Sequence, residues 1–288
     1  MVVNINALVT GSSGQLGTQF KKIKKKINGF NFFFFDKKQL DISNNFLLIE
    51  KIREFRIDYI INCAAYTDVD KSESNKKVAE KVNSISVENM AKICYEENIG
   101  LIHISSDYVF DGNNKLKYLE NDLTNPINFY GITKLKGEKG ILKYNPKKSL
   151  IIRTSWLYSE LKNNFVSAIV KKIINQEDIY VVNDEFGCPT NSMDLAKTIL
   201  EIIPKLANNN TEIYHYCNDG ICSRYEFAKE IAFILNIKSK IIPVNHNISK
   251  INRPKNSALN TDKIRNKFNI EIRSWQQSLN HHFNSNKI

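Results

Sequence analysis

Cysteine is sparse in this chain of 288 residues and poorly placed for pairing: the five, at 63, 94, 188, 217 and 222, form no CxxC. An odd number without such a pair excludes a complete disulfide framework and fits reduced thiols. Long apolar runs are also missing. The longest, FNFFFF before Asp36 and YIINCAAY around Cys63, fall far below the roughly 20 residues that span a bilayer, so no membrane partner is expected. The opening MVVNINALVTG has no basic leader, and its apolar run passes straight into a glycine loop. It reads as a buried strand and not a signal peptide, which implies a cytoplasmic location. HExxH, zinc-finger and helix-turn-helix patterns are absent as well, so the expected metal content is none.

Positive charge, by contrast, is in excess, with a formal net charge of +11 and a run KKIKKK at 21 to 26. Such a run raises the question of nucleic acid. Lys, Asn and Ile are abundant along the whole chain, and no nucleic-acid motif accompanies the charge, so the lysines read as a solvated helix face and no nucleic-acid partner is expected. With 42% hydrophobic and 25% charged residues, the chain can bury one large core or two smaller ones.

The first half alternates apolar β-branched runs with longer helical patterns: NALVTG then a helix from Gln15, FFFFD then a turn, YIINCAA then the helix of KVAEKVNSISVENMAKICYEE, and LIHISSDYVF then a helix from about Phe129. This order predicts an α/β fold, a Rossmann-type doubly wound parallel sheet with a smaller mixed α/β substrate domain. The expected division is 1–154 and 155–288, with parts of about 184–206 packing back onto the first unit.

VTGSSGQLG places Gly11, Gly14 and Gly17 between the first strand and its helix. Gly11 suits a tight turn, Gly14 a close approach of backbone to pyrophosphate, and Gly17 the packing of helix on strand. Ser13, Gln15 and Leu16 share the loop whose free amides attract an anion. Asp36 ends the second strand, where a carboxylate binds adenosine ribose, and Lys37 and Lys38 beside it could instead hold a 2′-phosphate. NADPH and NADH both remain open as cofactor. Asp41, followed by Ile42, could reach the adenine, or simply cap a turn. Ala64 and Ala65 offer little bulk where a dinucleotide would cross the sheet edge. Ser106 ends the fourth strand, at the carboxyl edge where open parallel sheets bind ligands. In FYGITKLKGE, Tyr130 and Lys134 stand one helical turn apart and project from one face. Alone they would be an ordinary surface pair; at that edge, with Ser106, they compose a carbonyl-reduction site.

In this order, GxxGxxG, Ser and YxxxK resemble the extended short-chain dehydrogenase/reductase superfamily. HISSDYVFDG, NFYGITKLKGEK, IIRTSWLY, NNF at 163 to 165, VVNDEFGCPT and RPKNSALNTDKI are similar, over nearly the whole chain, to the dTDP-4-dehydrorhamnose reductase family. The resemblance implies that Tyr130 donates the proton, Lys134 activates it and anchors ribose, and Ser106 polarises the sugar ketone. A lysine ammonium near the phenol would lower its pKa. It also implies that Thr67, Asp107, Tyr108 and Trp156 surround the sugar, with the nucleotide toward Asn164 and Phe165, although core packing is an equal reading for Trp156. Arg253 suits the substrate diphosphate, and His103 reads as a satisfied core histidine. The implied partner is a dTDP- or UDP-linked sugar, and the implied assembly a monomer or weak homodimer. A 4,6-dehydratase would need a Glu after Asp107, where Tyr108 stands. An epimerase/reductase would need a further proton shuttle, absent at Lys71, Ser72 and Asp107. A non-catalytic regulatory subunit would not need the intact Ser, Tyr and Lys. Glutamates that hold a magnesium ion in some relatives align with Gln19, Met193 and about Ser285, none of them a carboxylate.

Overall fold

A computed structural model describes residues 4–161, 163–206, 210–245 and 251–286. Part of the polar segment NHNISKINRPKNSALN, at 246–250, lies outside them. The first half runs β1 (Ile5–Thr10), α1 (Gln15–Ile23), β2 (Phe30–Phe34), α2 (Asn45–Glu54), β3 (Tyr59–Asn62), α3 (Val69–Ser74), α4 (Lys76–Glu80), a π-helical turn (Lys81–Ile85), α5 (Ser86–Glu96), β4 (Gly100–Ser106), α6 (Phe129–Tyr144) and β5 (Leu150–Thr154). The second half adds β6 (Leu157–Tyr158), α7 (Phe165–Ile174), β7 (Ile179–Val182), β8 (Phe186–Gly187), β9 (Thr190–Asn191), α8 (Ser192–Ile202), β10 (Glu212–His215), β11 (Cys222–Ser223), α9 (Arg224–Leu235), β12 (Ile241–Val244), α10 (Asp262–Phe268) and α11 (Trp275–Asn286).

Six of the strands form one all-parallel sheet in the order β10-β5-β4-β3-β1-β2. Each central strand is buried on both faces, and its side chains divide by parity. Ala7, Val9, Ile61 and Ile102 face α1 and α8 through Leu16, Phe20, Leu195 and Ile199. Leu8, Ile60, Leu101 and Ile151 face α2, α5 and α6 through Leu48, Met90 and Ile141. Each such Leu or Ile is worth about 1.5–3 kcal/mol when fully buried, so the two faces together dominate the core. The helix α2 replaces the plain turn expected after FFFFD. A parallel step from β2 to β3 needs a crossover, and Asn44 starts it by accepting from the Leu47 amide.

The chain leaves β1 toward β2 on one side and returns to β3 on the other, so a topological switch point opens between β1 and β3, the position where such sheets bind ligands. Beyond β5 a further core gathers around Tyr158, Val166, Ile179, Phe227 and Trp275, and β12 pairs in parallel with β7. The helix α8 and strand β10 both contribute to the first-half core, through Leu195 and Tyr214. Among the described residues no helix is long and apolar enough to cross a membrane.

One ion pair is buried in this framework. Arg153 on β5 donates from Nε and Nη2 to the two oxygens of Glu138 on α6, at 2.9 and 2.7 Å. The Ser105 hydroxyl on β4 donates to the same carboxylate. Breaking such a pair on one side leaves a naked buried charge, a cost of about 3–5 kcal/mol, whereas replacing both partners by apolar groups is far milder. Arg153→Met should therefore lower the unfolding free energy in urea by that amount, and the double variant Arg153→Met with Glu138→Leu should recover most of it. A single variant as stable as the parent would contradict this account.

Candidate functional site

A cleft of about 1270 Å³ opens at the carboxyl edge of the sheet and extends between the sheet and the second core. Its floor at the switch point is the glycine loop. Gly11 has φ +58°, and a Cβ there would meet the Ala64 amide nitrogen at 2.7 Å, so both the left-handed backbone and the tight approach to β3 demand glycine. Gly14 lines the cleft; a Cβ on it would touch only the Gly11 carbonyl, at 3.2 Å, and otherwise enter open space. Gly17 lies beneath the loop, where a Cβ would strike the Gly11 carbonyl and Ser12, and it does not line the cleft. Ser13, Gln15, Leu16, Lys37, Asp41, Ile42, Ala64 and Ala65 all do.

Asp36 stands apart from this set. Its carboxylate accepts from the Lys38 and Gln39 amides at 2.8 and 3.1 Å, closing the turn after β2, and it is not among the lining residues. Asp41 likewise accepts from the Ser43 amide, which holds its carboxyl below the usual range, yet it stays at the wall.

Ser106, Tyr130 and Lys134 converge deeper in the cleft. Ser106 caps the short turn after β4: its Oγ accepts from the Tyr108 amide at 3.1 Å and donates to Asp107 Oδ1 at 3.0 Å. The helix α6 begins at Asn128, whose side chain accepts from the Gly131 amide at 2.9 Å. A Cβ on Gly131 would run into the Tyr108 carbonyl, so glycine lets the first turn of α6 press against the turn that carries Ser106. Tyr108 meets the Tyr130 ring edge-on at 5.7 Å. Burial pushes the Tyr130 phenol up, with the Ser106 hydroxyl opposing the shift. The direction is opposite to the lowering expected from Lys134, because the lysine is directed elsewhere. Its Nζ donates to the Ile104 carbonyl at 2.6 Å and lies 3.3 Å from His103 Nε2.

His103 is wholly buried and lies in a polar chain across the strand ends. The Thr10 hydroxyl donates to Asn62 Oδ1 at 2.7 Å, and Asn62 Nδ2 lies 3.1 Å from His103 Nδ1. Burial, with the Lys134 charge beside it, keeps His103 neutral through a pKa well below the usual imidazole value. Burial also pushes Lys134 down to about 8, against the opposing charge of Glu138. Asp107 is pushed up to about 6 by burial, against hydrogen bonding from the Ser257 and Ser106 hydroxyls.

The substrate-side residues divide into two groups. Thr67, Asp107, Tyr108, Trp156 and Arg253 line the same cleft. Asn164 and Phe165 line it too, but are bound into α7. The Asn164 amide donates to the Ser159 and Leu161 carbonyls and its oxygen caps α7 at the Ser167 amide, while Phe165 stacks on Phe227 at 5.5 Å. Arg253 donates to Asp70 at 2.8 Å. Three participants escaped the sequence reading. Arg224 and Glu185 line the cleft, and Glu138 lies one turn beyond Lys134. The regular spacing from Tyr130 through Lys134 to Glu138 marks one helix face and was signal enough for the last; Arg224 and Glu185 carried none.

Residues 5–288 match the family model described as the RmlD substrate binding domain. The chain is 35% identical over 287 residues to dTDP-4-dehydrorhamnose reductase of Aggregatibacter actinomycetemcomitans, covering 94% of this chain and 96% of that one. It is 35% identical over 288 residues to the protein of the same name from Escherichia coli K12, covering 94% and 95%. A crystal structure of dTDP-4-dehydrorhamnose reductase from Bacillus anthracis in complex with NADP superposes with a TM-score of 0.92 at 34% identity, over 98% of this chain and 100% of that one.

The Lys134 shift gives a pH test. An amine whose pKa is lowered to about 8 is cationic below that pH and loses its charge as pH rises through it. A cofactor contact that uses the ammonium should therefore be strong near neutrality and weaken above about pH 8. Calorimetric titration with NADPH should show Kd rising steadily on that alkaline side; a flat profile up to about pH 9.5, well past the shifted value, would remove the ammonium from the contact.

Proposed function

The chain belongs to the dTDP-4-dehydrorhamnose reductase family, and from that membership we propose that it reduces the C4 ketone of dTDP-4-dehydro-L-rhamnose to dTDP-L-rhamnose with NADPH or NADH. The observation that carries the reading is the convergence of Ser106, Tyr130 and Lys134 in one cleft with the glycine loop.

The residues suit a dinucleotide. The loop from Gly11 to Leu16 offers amides at the start of α1 for a pyrophosphate, Lys37 and Asp41 would hold the adenosine, and Lys134 would hold the nicotinamide ribose. When bound, the cofactor supplies the hydride. The protein's own task is the ketone oxygen. Tyr130, kept protonated by burial, donates its proton to that oxygen as negative charge develops there, and the Ser106 hydroxyl hydrogen-bonds to the same atom. Lys134 would fix the cofactor beside them. The second carboxyl group that elimination would use is missing, because Asp107 is followed by Tyr108. Every group in this scheme comes from one chain, so a monomer or weak homodimer suffices.

Tyr130→Phe should remove most turnover, by about 100- to 10,000-fold, while leaving the Kd for NADPH nearly unchanged. Single-turnover oxidation of NADPH with dTDP-4-dehydrorhamnose measures the first and fluorescence titration the second. Retention of more than about a third of the rate would refute the assignment. For cofactor choice, Lys37 lines the cleft and Lys38 does not, so Lys37→Ser should raise the KM for NADPH several-fold and spare NADH. Equal effects on both would show that Lys37 does not read a 2′-phosphate.

A further inference from the structure

Trp156 does not meet the cleft with a bare ring. The Arg224 guanidinium lies 3.6 Å from its ring centroid and 5.3 Å from that of Phe165. Trp156 is itself held in an unusual setting: its backbone has φ +48°, rare for a bulky residue and sustained only by surrounding contacts. Gly187 abuts the indole so closely that a Cβ there would be 2.5 Å from it. The arginine is oriented as well. It opens α9 behind the Ser223 cap, its Nε faces Glu185 Oε2 at 3.7 Å, and its side chain is only 15% exposed. No hydrogen bond engages its terminal Nη groups among the described residues, and it lines the cleft.

Strand register says which part of a substrate would meet this group. Ser106 pairs with Thr154 across β4 and β5, so Trp156, two residues on, leaves the sheet at the same carboxyl edge as Ser106, and the Arg224 charge acts on Asp107 and Tyr108, the two residues that follow that serine. Asp107, adjacent to Ser106, is buried, meets the Ser106 and Ser257 hydroxyls and feels the Arg224 charge. A planar fork with free donors and a buried carboxylate, whose roughly four acceptor sites exceed the two hydroxyls it meets, thus flank the position of the sugar ring. Neighbouring hydroxyls of a sugar, each both donor and acceptor, satisfy both at once.

We propose that Arg224, stacked on Trp156, is a specificity-determining residue of the sugar subsite, donating to a ring hydroxyl whose own proton, or that of its neighbour, goes to Asp107. The proposal rests on the reductase reading. Trp156 serves as the platform, and Arg224 presents the hydrogen bonds.

The test compares Arg224→Lys and Arg224→Gln with the parent enzyme. Lysine keeps the charge but loses the planar fork. Both variants should raise the KM for dTDP-4-dehydrorhamnose about tenfold, the loss typical of a hydrogen bond to a charged group. The inhibition constant of dTDP, which lacks the sugar, and the Kd for NADPH should stay within about twofold, a change equivalent to well under one such bond. An unchanged KM would overturn the proposal. So would parallel weakening of dTDP, which would assign Arg224 to the diphosphate, or of NADPH, which would assign it to the fold. Absence of turnover in the parent enzyme would instead count against the reductase reading.

Discussion

The pairing of Glu138 with Arg153 sets the position of the groups proposed to react. The two side chains are 1% and 3% exposed, and neither charge could remain there without the other. The guanidinium is satisfied further by the Glu120 carbonyl at 3.2 Å and by the Phe110 ring at 5.1 Å, and the carboxylate by Ser105. Because Glu138 shares a helix face with Lys134 and Tyr130, clamping it to β4 and β5 fixes the rotation of α6 about its axis. A rotation of α6 that freed Glu138 would carry the phenol and the amine away from the strand ends. The bond at mid-helix and the Gly131 contact in the first turn therefore set the distance between Ser106 and the two side chains of α6.

The same burial that makes the ion pair obligatory tunes the groups above it. Lys134 is nearly as enclosed as Glu138, and its nearest neighbours are a carbonyl, at Ile104, and a neutral imidazole, at His103. Its ammonium is therefore only moderately stable. The Asn62 amide, oriented by the Thr10 hydroxyl and the Ala64 amide, faces His103 Nδ1, and the neutral imidazole stands between it and Lys134. Glu138 supplies the countercharge. The phenol of Tyr130, pushed upward by desolvation, retains its proton, which is the form a reduction requires.

How legible was this in the sequence? The parallel sheet, the glycine loop, and the Tyr130 and Lys134 pair all depend on local patterns: strand runs ending in glycine, and a helical repeat of four. Those patterns survive without tertiary knowledge. The crossover helix α2 was less visible because NNFLLIEKIRE has only a weakly apolar face, with Leu48 and Ile52 its two buried residues. Asp36 stood at the right distance from the loop, but spacing does not reveal that two amides of its own turn would take its carboxylate. The partnership of Trp156 with Arg224 joins residues far apart in sequence and meeting only through tertiary packing. Nothing in either local segment announces it.

Charge illustrates the same limit from the other side. The excess of +11 suggests a strongly positive cleft for a substrate that bears a diphosphate. Inside the cleft, however, Lys37, Lys134, Lys172, Arg224 and Arg253 share the wall with Asp41, Asp70, Asp107 and Glu185, and Asp70 is already bonded to Arg253. Most surplus lysines lie on exposed helix faces, among them Lys21, Lys24 and Lys25. Spread over the surface, they raise the local concentration of any anion and speed its arrival, an effect that salt screens within about 10 Å. They cannot distinguish one anion from another. Discrimination has to come from groups whose geometry is fixed by their surroundings, and the proposed site assigns it to the hydroxyl, phenol and amine held by α6 and β4 and to the guanidinium laid over Trp156.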